Sequence, residues 1–207
     1  MIKSVYGKQS EVLEAISELY IGPGFQLDPT YSKGIIHKGL MDPEIKSDIS
    51  PGPGIKEMDC RDLAIESGTI QSIMFDPPFL AGGGKTGIMH DRFSSFKTVA
   101  DLMEFYKASL TELNRVLAPR GYLVFKCQDL LNGRVQTFSH CEVYNCALSL
   151  GLYARDLFVL TSNKRPTPHN MRVQEHARKF HSYFWVFQKC NKANKRIYPH
   201  QPADSEE

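Results

Sequence analysis

The chain has 207 residues, 42% of them hydrophobic and 23% charged, and a formal net charge of +2. That length suits one domain with a proper buried core, and the near-neutral balance excludes a global basic field, so any nucleic-acid partner has to be held by local basic patches. No stretch approaches the roughly 20 apolar residues of a membrane span, and the start MIKSVYGKQSEV has no apolar signal region, so a cytoplasmic protein without a membrane partner is expected.

In chain order, Glu11 to Tyr20 places Val12, Leu13, Ile16 and Leu19 at helical spacing, and Gly22-Pro23-Gly24 ends that helix. Phe25 to Leu27 is a short strand that stops at Asp28, and Thr30 to Gly34 (TYSKG) is a loop. Ile45 to Ile49 is a second short strand, closed by SPGPG, and Met58 to Leu63 leads into a turn. Ile70 to Phe75 is a strand that ends at Asp76. Val99 to Leu117 is the long helix, with Leu102, Tyr106, Leu110, Leu113 and Val116 on one face, and Ala118-Pro119-Arg120-Gly121 stops it. Tyr122 to Lys126 is a buried-type strand, and Thr137 to Leu150 a second amphipathic helix with Gly151 just past its end. Leu157 to Leu160 and Tyr183 to Phe187 are the last strands, separated by the polar, basic loop Thr161 to His181.

Strands alternating with helices predict an α/β domain. The last two strands have no helix between them, so they are expected to pair antiparallel. Ligands of such sheets sit beyond the C-terminal strand ends. Asp28, Asp48 and Asp76 stand at three such ends, and Asp59 follows a short apolar step. The five cysteines (Cys60, Cys127, Cys141, Cys146 and Cys190) form no CxxC pair, so reduced thiols are expected, and no metal site.

Two segments compete for the chemistry. Gly82-Gly83-Gly84-Lys85-Thr86 offers a phosphate cradle, but the glycine that a Walker loop needs five positions before Gly84 is Phe79, and Pro77 and Pro78 have no N–H to donate. Ala81 to Gly87 therefore reads as a flexible flap. Asp76-Pro77-Pro78-Phe79 offers an amine pocket. The lone pair of an exocyclic amine on a base is delocalised into the ring. Accepting hydrogen bonds from both N–H groups frees that lone pair and aims it. Asp76 supplies one acceptor and the Pro77 carbonyl a second, held rigid by Pro78, while Phe79 can stack on the flat base.

Asp-Pro-Pro-Phe resembles the [D/N/S]-P-P-[Y/F/W] motif of amino-group methyltransferases, and with aspartate first it looks most like the adenine-N6 DNA methyltransferases. Leu113 to Lys126 (LNRVLAPRGYLVFK) resembles the RVLKPGG helix–turn–strand of class I S-adenosylmethionine enzymes, and His176 to Phe187 (HARKFHSYFWVF) the terminal strand region of small phage or prophage DNA methylases. The resemblance implies a Rossmann-like class I methyltransferase domain over residues 1–189, mostly parallel with an antiparallel C-terminal strand, and a polar, disordered tail over 190–207. It implies S-adenosyl-L-methionine as cofactor. Asp28 to Gly34 resembles a D-x-T-Y-G-K-G turn with Ser32 in place of a glycine, so Asp28, Thr30, Tyr31, Lys33 and Gly34 would approach the methionine part. Asp48 would take the ribose hydroxyls, in competition with Asp42. Asp59 would face the adenine amine, with Cys60 beside the ring.

The resemblance implies DNA as partner, with RNA and a homodimer left open. A base in a duplex has to be flipped out to reach such a pocket. Lys85, Arg92, Lys97, Lys164, Arg165, Arg172, Arg178 and Lys179 are the cations that could hold the backbone. For His176 to His181 a solvated basic edge stands as an equal reading. The alternatives to adenine-N6 methylation of DNA are an RNA adenine or guanine amino-group methyltransferase and a non-catalytic methyltransferase-like DNA-binding subunit.

Overall fold

Ile70–Phe75 is buried at every position but Gln71. A run of that kind needs cover on both faces, which is the condition of a parallel strand between two layers. The computed structural model describes residues 1–81, 96–132, 134–162, 175–177 and 179–190. In chain order its elements are β1 (Val5–Tyr6), α1 (Gln9–Ile16, continued by a π-turn over Ser17–Ile21), β2 (Leu27–Asp28), β3 (Ile45–Asp48), β4 (Lys56–Glu57) and β5 (Ile70–Phe75). There follow α2 (Val99–Val116), β6 (Leu117–Cys127), β7 (Leu130–Asn132), β8 (Val135–Thr137), α3 (Ser139–Ser149), β9 (Leu152–Thr161) and β10 (His181–Lys189).

Eight strands form one sheet in the order β1-β9-β10-β6-β5-β2-β3-β4. All pairings are parallel except those of β10, which runs antiparallel to both β6 and β9. This is the Rossmann-like arrangement of class I methyltransferases, mostly parallel with one reversed strand. From β2 the chain builds outward to β3 and β4, then crosses back to lay β5 on the other side. The crevice beyond the C-terminal ends of β2 and β5 is therefore the sheet's topological switch point, where such sheets bind ligands.

Alternation along the strands divides the core in two. Ile73, Phe75 and Phe125 pack with Leu102, Tyr106, Leu110, Leu113 and Val116 of α2. Met74, Val124, Phe184 and Val186 pack on the opposite face with Val12, Leu13 and Ile16 of α1. A capping box starts α2: Asp101 N–H donates to the Thr98 hydroxyl (3.1 Å) and Thr98 N–H to the Asp101 carboxylate (3.0 Å), which satisfies two of the helix's orphan donors.

The structure departs from the sequence reading around the first helix and around Gly121. The first helix turns π at Ser17 before Gly22 ends it. Ala118-Pro119-Arg120-Gly121 is no separate turn but the first part of β6, with Arg120 at φ +68°. Gly121 is needed there for space. A Cβ on it would stand 2.9 Å from the carbonyl oxygens of Ala118 and Gln71 and 3.1 Å from that of Ile70, where the β5–β6 register shifts. Gly121→Ala is expected to lower stability by about 1–3 kcal/mol through overpacking, read by thermal or denaturant unfolding. The short strands β1 and β4 and the β7–β8 hairpin have no counterpart in the sequence reading.

Most of the flap (from Gly82 on), the bulk of the basic loop and residues 191–207 lie outside the described residues, and so do Lys85, Arg92, Lys164, Arg165, Arg172 and Arg178. Among the described residues no helix is long and apolar enough to cross a membrane, and no group of three His, Cys, Asp or Glu is placed to hold a metal ion.

Candidate active site

β5 carries Asp76-Pro77-Pro78-Phe79 out at its C-terminal end, beside the end of β2. Asp76 N–H donates to Thr30 Oγ1 (3.1 Å), and the Thr30 hydroxyl and N–H both donate to Asp28 Oδ1 (3.1 and 2.8 Å). This chain of bonds spans the crevice and ties the motif to β2. The Asp76 side chain keeps a quarter of its surface exposed. Its Oδ2 accepts from Lys126 Nζ at 2.9 Å. The Pro78 carbonyl accepts from the Tyr106 hydroxyl (3.1 Å), which anchors the motif to α2. Among the described residues no donor reaches the Pro77 carbonyl. Pro77 is buried, and Pro78 and Phe79 are half-buried. Phe75 at the base of the motif packs edge-on against Phe125, and Tyr106 does the same.

Asp28 is fully buried and is fully used by its neighbours. Its Oδ2 lies 2.7 Å from His37 Nε2, itself buried. Loss of water pushes the Asp28 carboxyl up from its ordinary value, against the pull of His37 and Thr30. The carboxylate thus organises the turn. Ser32 and Gly34 take positive φ (47° and 64°) in that turn. The Tyr31 ring covers Gly34, stacks on His37 at 5.7 Å, and donates its hydroxyl to Asp42 (2.9 Å). Lys33 is exposed.

Asp48 closes β3 at the same edge and is half-buried. Its two oxygens accept Ser32 N–H (3.0 Å) and Ser50 N–H (2.9 Å), so the carboxylate is held in place with lone pairs to spare. Asp42 lies three residues before β3 begins and is shared between Tyr31 and Lys46. Asp59 follows β4, and the Arg61 guanidinium beside it holds its carboxyl below the usual range. The Cys60 thiol points into the core toward Ser109 Oγ (3.4 Å), and burial pushes it up to about 11. It stays a protonated packing group.

Two features at this edge have no counterpart in the sequence reading. One is Lys126, which that reading treats only as a strand end. The other is a hydrogen-bonded cluster next to it. His140 Nδ1 lies 2.7 Å from Asp129 Oδ1, the Tyr183 hydroxyl lies 3.3 Å from Asp129 Oδ2 and 2.9 Å from His181 Nε2, and His140 stacks on Tyr183 at 4.1 Å. Burial and Asp129 push the Tyr183 hydroxyl up to about 12, so it remains a donor. Of the eight cations expected to hold a nucleic-acid backbone, Lys97 and Lys179 are described, and Lys179 sets its ammonium 5.8 Å over the Phe138 ring beside this cluster. A groove of about 330 Å³ between α2 and α3 shares only Tyr106 with the contacts of the motif and is lined by helix side chains.

No protein-family model and no curated protein matches the chain. Among solved structures it is similar to a candidate DNA modification methylase from Thermus thermophilus crystallised with S-adenosyl-L-methionine, at 15% identity and a TM-score of 0.42, over 67% of this chain and 56% of that one. The chain thus spans little more than half the length of that protein. It is also similar to a SAM-dependent methyltransferase from Thermotoga maritima, at 13% identity and a TM-score of 0.48, over 86% of this chain and 87% of that one. A third likeness is to a SAM-dependent methyltransferase from Leishmania major, at 15% identity and a TM-score of 0.44, over 89% and 78%. These are distant likenesses of fold, and the strand order given above carries the conclusion by itself: the chain has the Rossmann-like fold of class I methyltransferases.

Proposed function

We propose that the protein is an S-adenosyl-L-methionine-dependent methyltransferase acting on the exocyclic amine of a nucleic-acid base, adenine N6 in DNA. One observation carries this reading. The Asp-Pro-Pro-Phe segment stands at the sheet's switch point with a part-exposed carboxylate and a Pro77 carbonyl that accepts no bond among the described residues, while Tyr106 engages the other proline carbonyl. Those are two acceptors for the two N–H groups of one amine.

The residues present fit the cofactor. Asp48 is pinned by two backbone N–H groups at the end of β3, where an acid takes ribose hydroxyls. Backbone of the Thr30 to Gly34 turn, opened by positive φ, would approach the methionine part, and Asp59 and Cys60 belong to the adenine side. When bound, the cofactor supplies the methyl group: an N–C bond forms as a C–S bond breaks, and one amine proton leaves. The chain's own work is to place the amine in line and to accept its N–H bonds as nitrogen gains positive charge. Asp76 can receive the departing proton.

Thr30→Val removes the bond to Asp76 N–H and one donor to Asp28. It is expected to slow transfer about tenfold, read as turnover under saturating cofactor. A second reading, a non-catalytic methyltransferase-like subunit, is favoured by the engagement of Asp28 and Asp59 by neighbours within the chain. Calorimetry with S-adenosylmethionine separates the two: saturable one-to-one binding supports the enzyme, and no binding supports the subunit.

A further inference from the structure

We propose that Lys126 reads the substrate together with Asp76, so that the site selects an amine flanked on one edge of its ring by a hydrogen-bond-accepting ring nitrogen. The inference rests on the base-methylation reading and adds the edge of the base that is read. β5 and β6 are parallel neighbours with Phe75 opposite Phe125, so Lys126 stands beside Asp76 by register. Its Nζ is 2.9 Å from Asp76 Oδ2 and 5.7 Å from the centre of the Phe184 ring. With 14% of its side chain exposed, Lys126 is not a solvated surface charge.

A lysine ammonium carries three donors, and Asp76 takes one of those on Lys126. Among the described residues Asp76 Oδ1 accepts no bond. An acceptor and spare donors therefore lie side by side where β5 and β6 end. The matching edge presents a donor next to an acceptor. Adenine offers its 6-amine beside N1 and N7, and cytosine its 4-amine beside N3. A simple alkylamine offers only the donor. Asp76 is then the acceptor for the amine, and Lys126 both fixes the second carboxylate oxygen and donates to the ring nitrogen.

The test compares wild type with Lys126→Met and Lys126→Gln, after calorimetry with S-adenosylmethionine and thermal unfolding identify the folded variants. The substrates are oligonucleotides around a methylated site mapped on natural DNA, with the target adenine replaced by 1-deazaadenine or 7-deazaadenine. One replacement is expected to lower wild-type kcat/KM about 10- to 100-fold, the effect of a lost charge-assisted hydrogen bond, and to change a folded Lys126 variant less than about threefold. A lysine that only neutralises Asp76 would not produce this coupling. Equal wild-type rates on all three bases overturn the proposal, as do variants as sensitive to the replacement as wild type. If wild type methylates no natural nucleic acid, the base-methylation reading itself fails and this one with it.

Discussion

Asp76→Ala is expected to bind S-adenosylmethionine as wild type does and to turn over about a thousandfold more slowly, the effect of removing a preorganised acceptor from a developing charge. Affinity is retained because Asp76 lies at the end of β5, whereas the acid assigned to the ribose is Asp48 at the end of β3. The loss has two parts. The amine loses one of its acceptors, and the Lys126 ammonium loses its anion and faces a nitrogen that is becoming positive. Asp76→Asn keeps the shape and one acceptor oxygen, so it should fall between the two. Calorimetry and single-turnover methyl transfer together check this. A variant that transfers at near wild-type rate would remove Asp76 from the mechanism.

His37→Ala is expected to be the most destabilising single change, by about 3–5 kcal/mol, because it leaves a buried carboxylate without its partner. Asp28 is fully buried and His37 nearly so, and the imidazole also contacts the Tyr31 and Phe25 rings. For a chain of this size that corresponds to a fall in Tm of roughly 6–20 °C. The pH dependence has a definite sign. Burial already raises the Asp28 carboxyl, and without His37 the pull downward is weaker. A raised folded value favours the protonated folded state, so the deficit should be smallest at acid pH and grow as pH rises through that value. Adding Asp28→Asn to His37→Ala should restore part of the loss, since no charge is then left buried. Thermal unfolding across pH reads all three.

Local signals carried much of the fold. Ile70 to Phe75, the long helix over Val99 to Val116 and the antiparallel final strands are evident in the residues because hydrophobic pattern and chain order determine them. The two-residue strands β1 and β4 are not, because a pairing of two residues leaves no periodicity to read. The Asp-Pro-Pro-Phe motif suggests its proposed chemistry in the sequence alone, since the proposed roles sit in adjacent residues. Its supports do not. Lys126 is 50 residues from Asp76 and Tyr106 is 28 from Pro78. Only the parallel pairing of β5 with β6 and the packing of α2 on the sheet bring them together. The acids show the same limit. In the sequence Asp28 and Asp48 stand alike at strand ends, and Asp59 follows a short apolar step. The structure separates Asp48, held by backbone N–H groups, from Asp28 and Asp59, which are taken up by His37 and Arg61.

The central claim is that this edge methylates a base amine, and mass spectrometry of nucleosides tests it most directly. DNA and RNA are incubated separately with the enzyme and isotopically labelled S-adenosylmethionine, digested to nucleosides and resolved. Label is expected in N6-methyladenine from DNA and absent with Asp76→Ala. Label in no nucleoside from either polymer would contradict it.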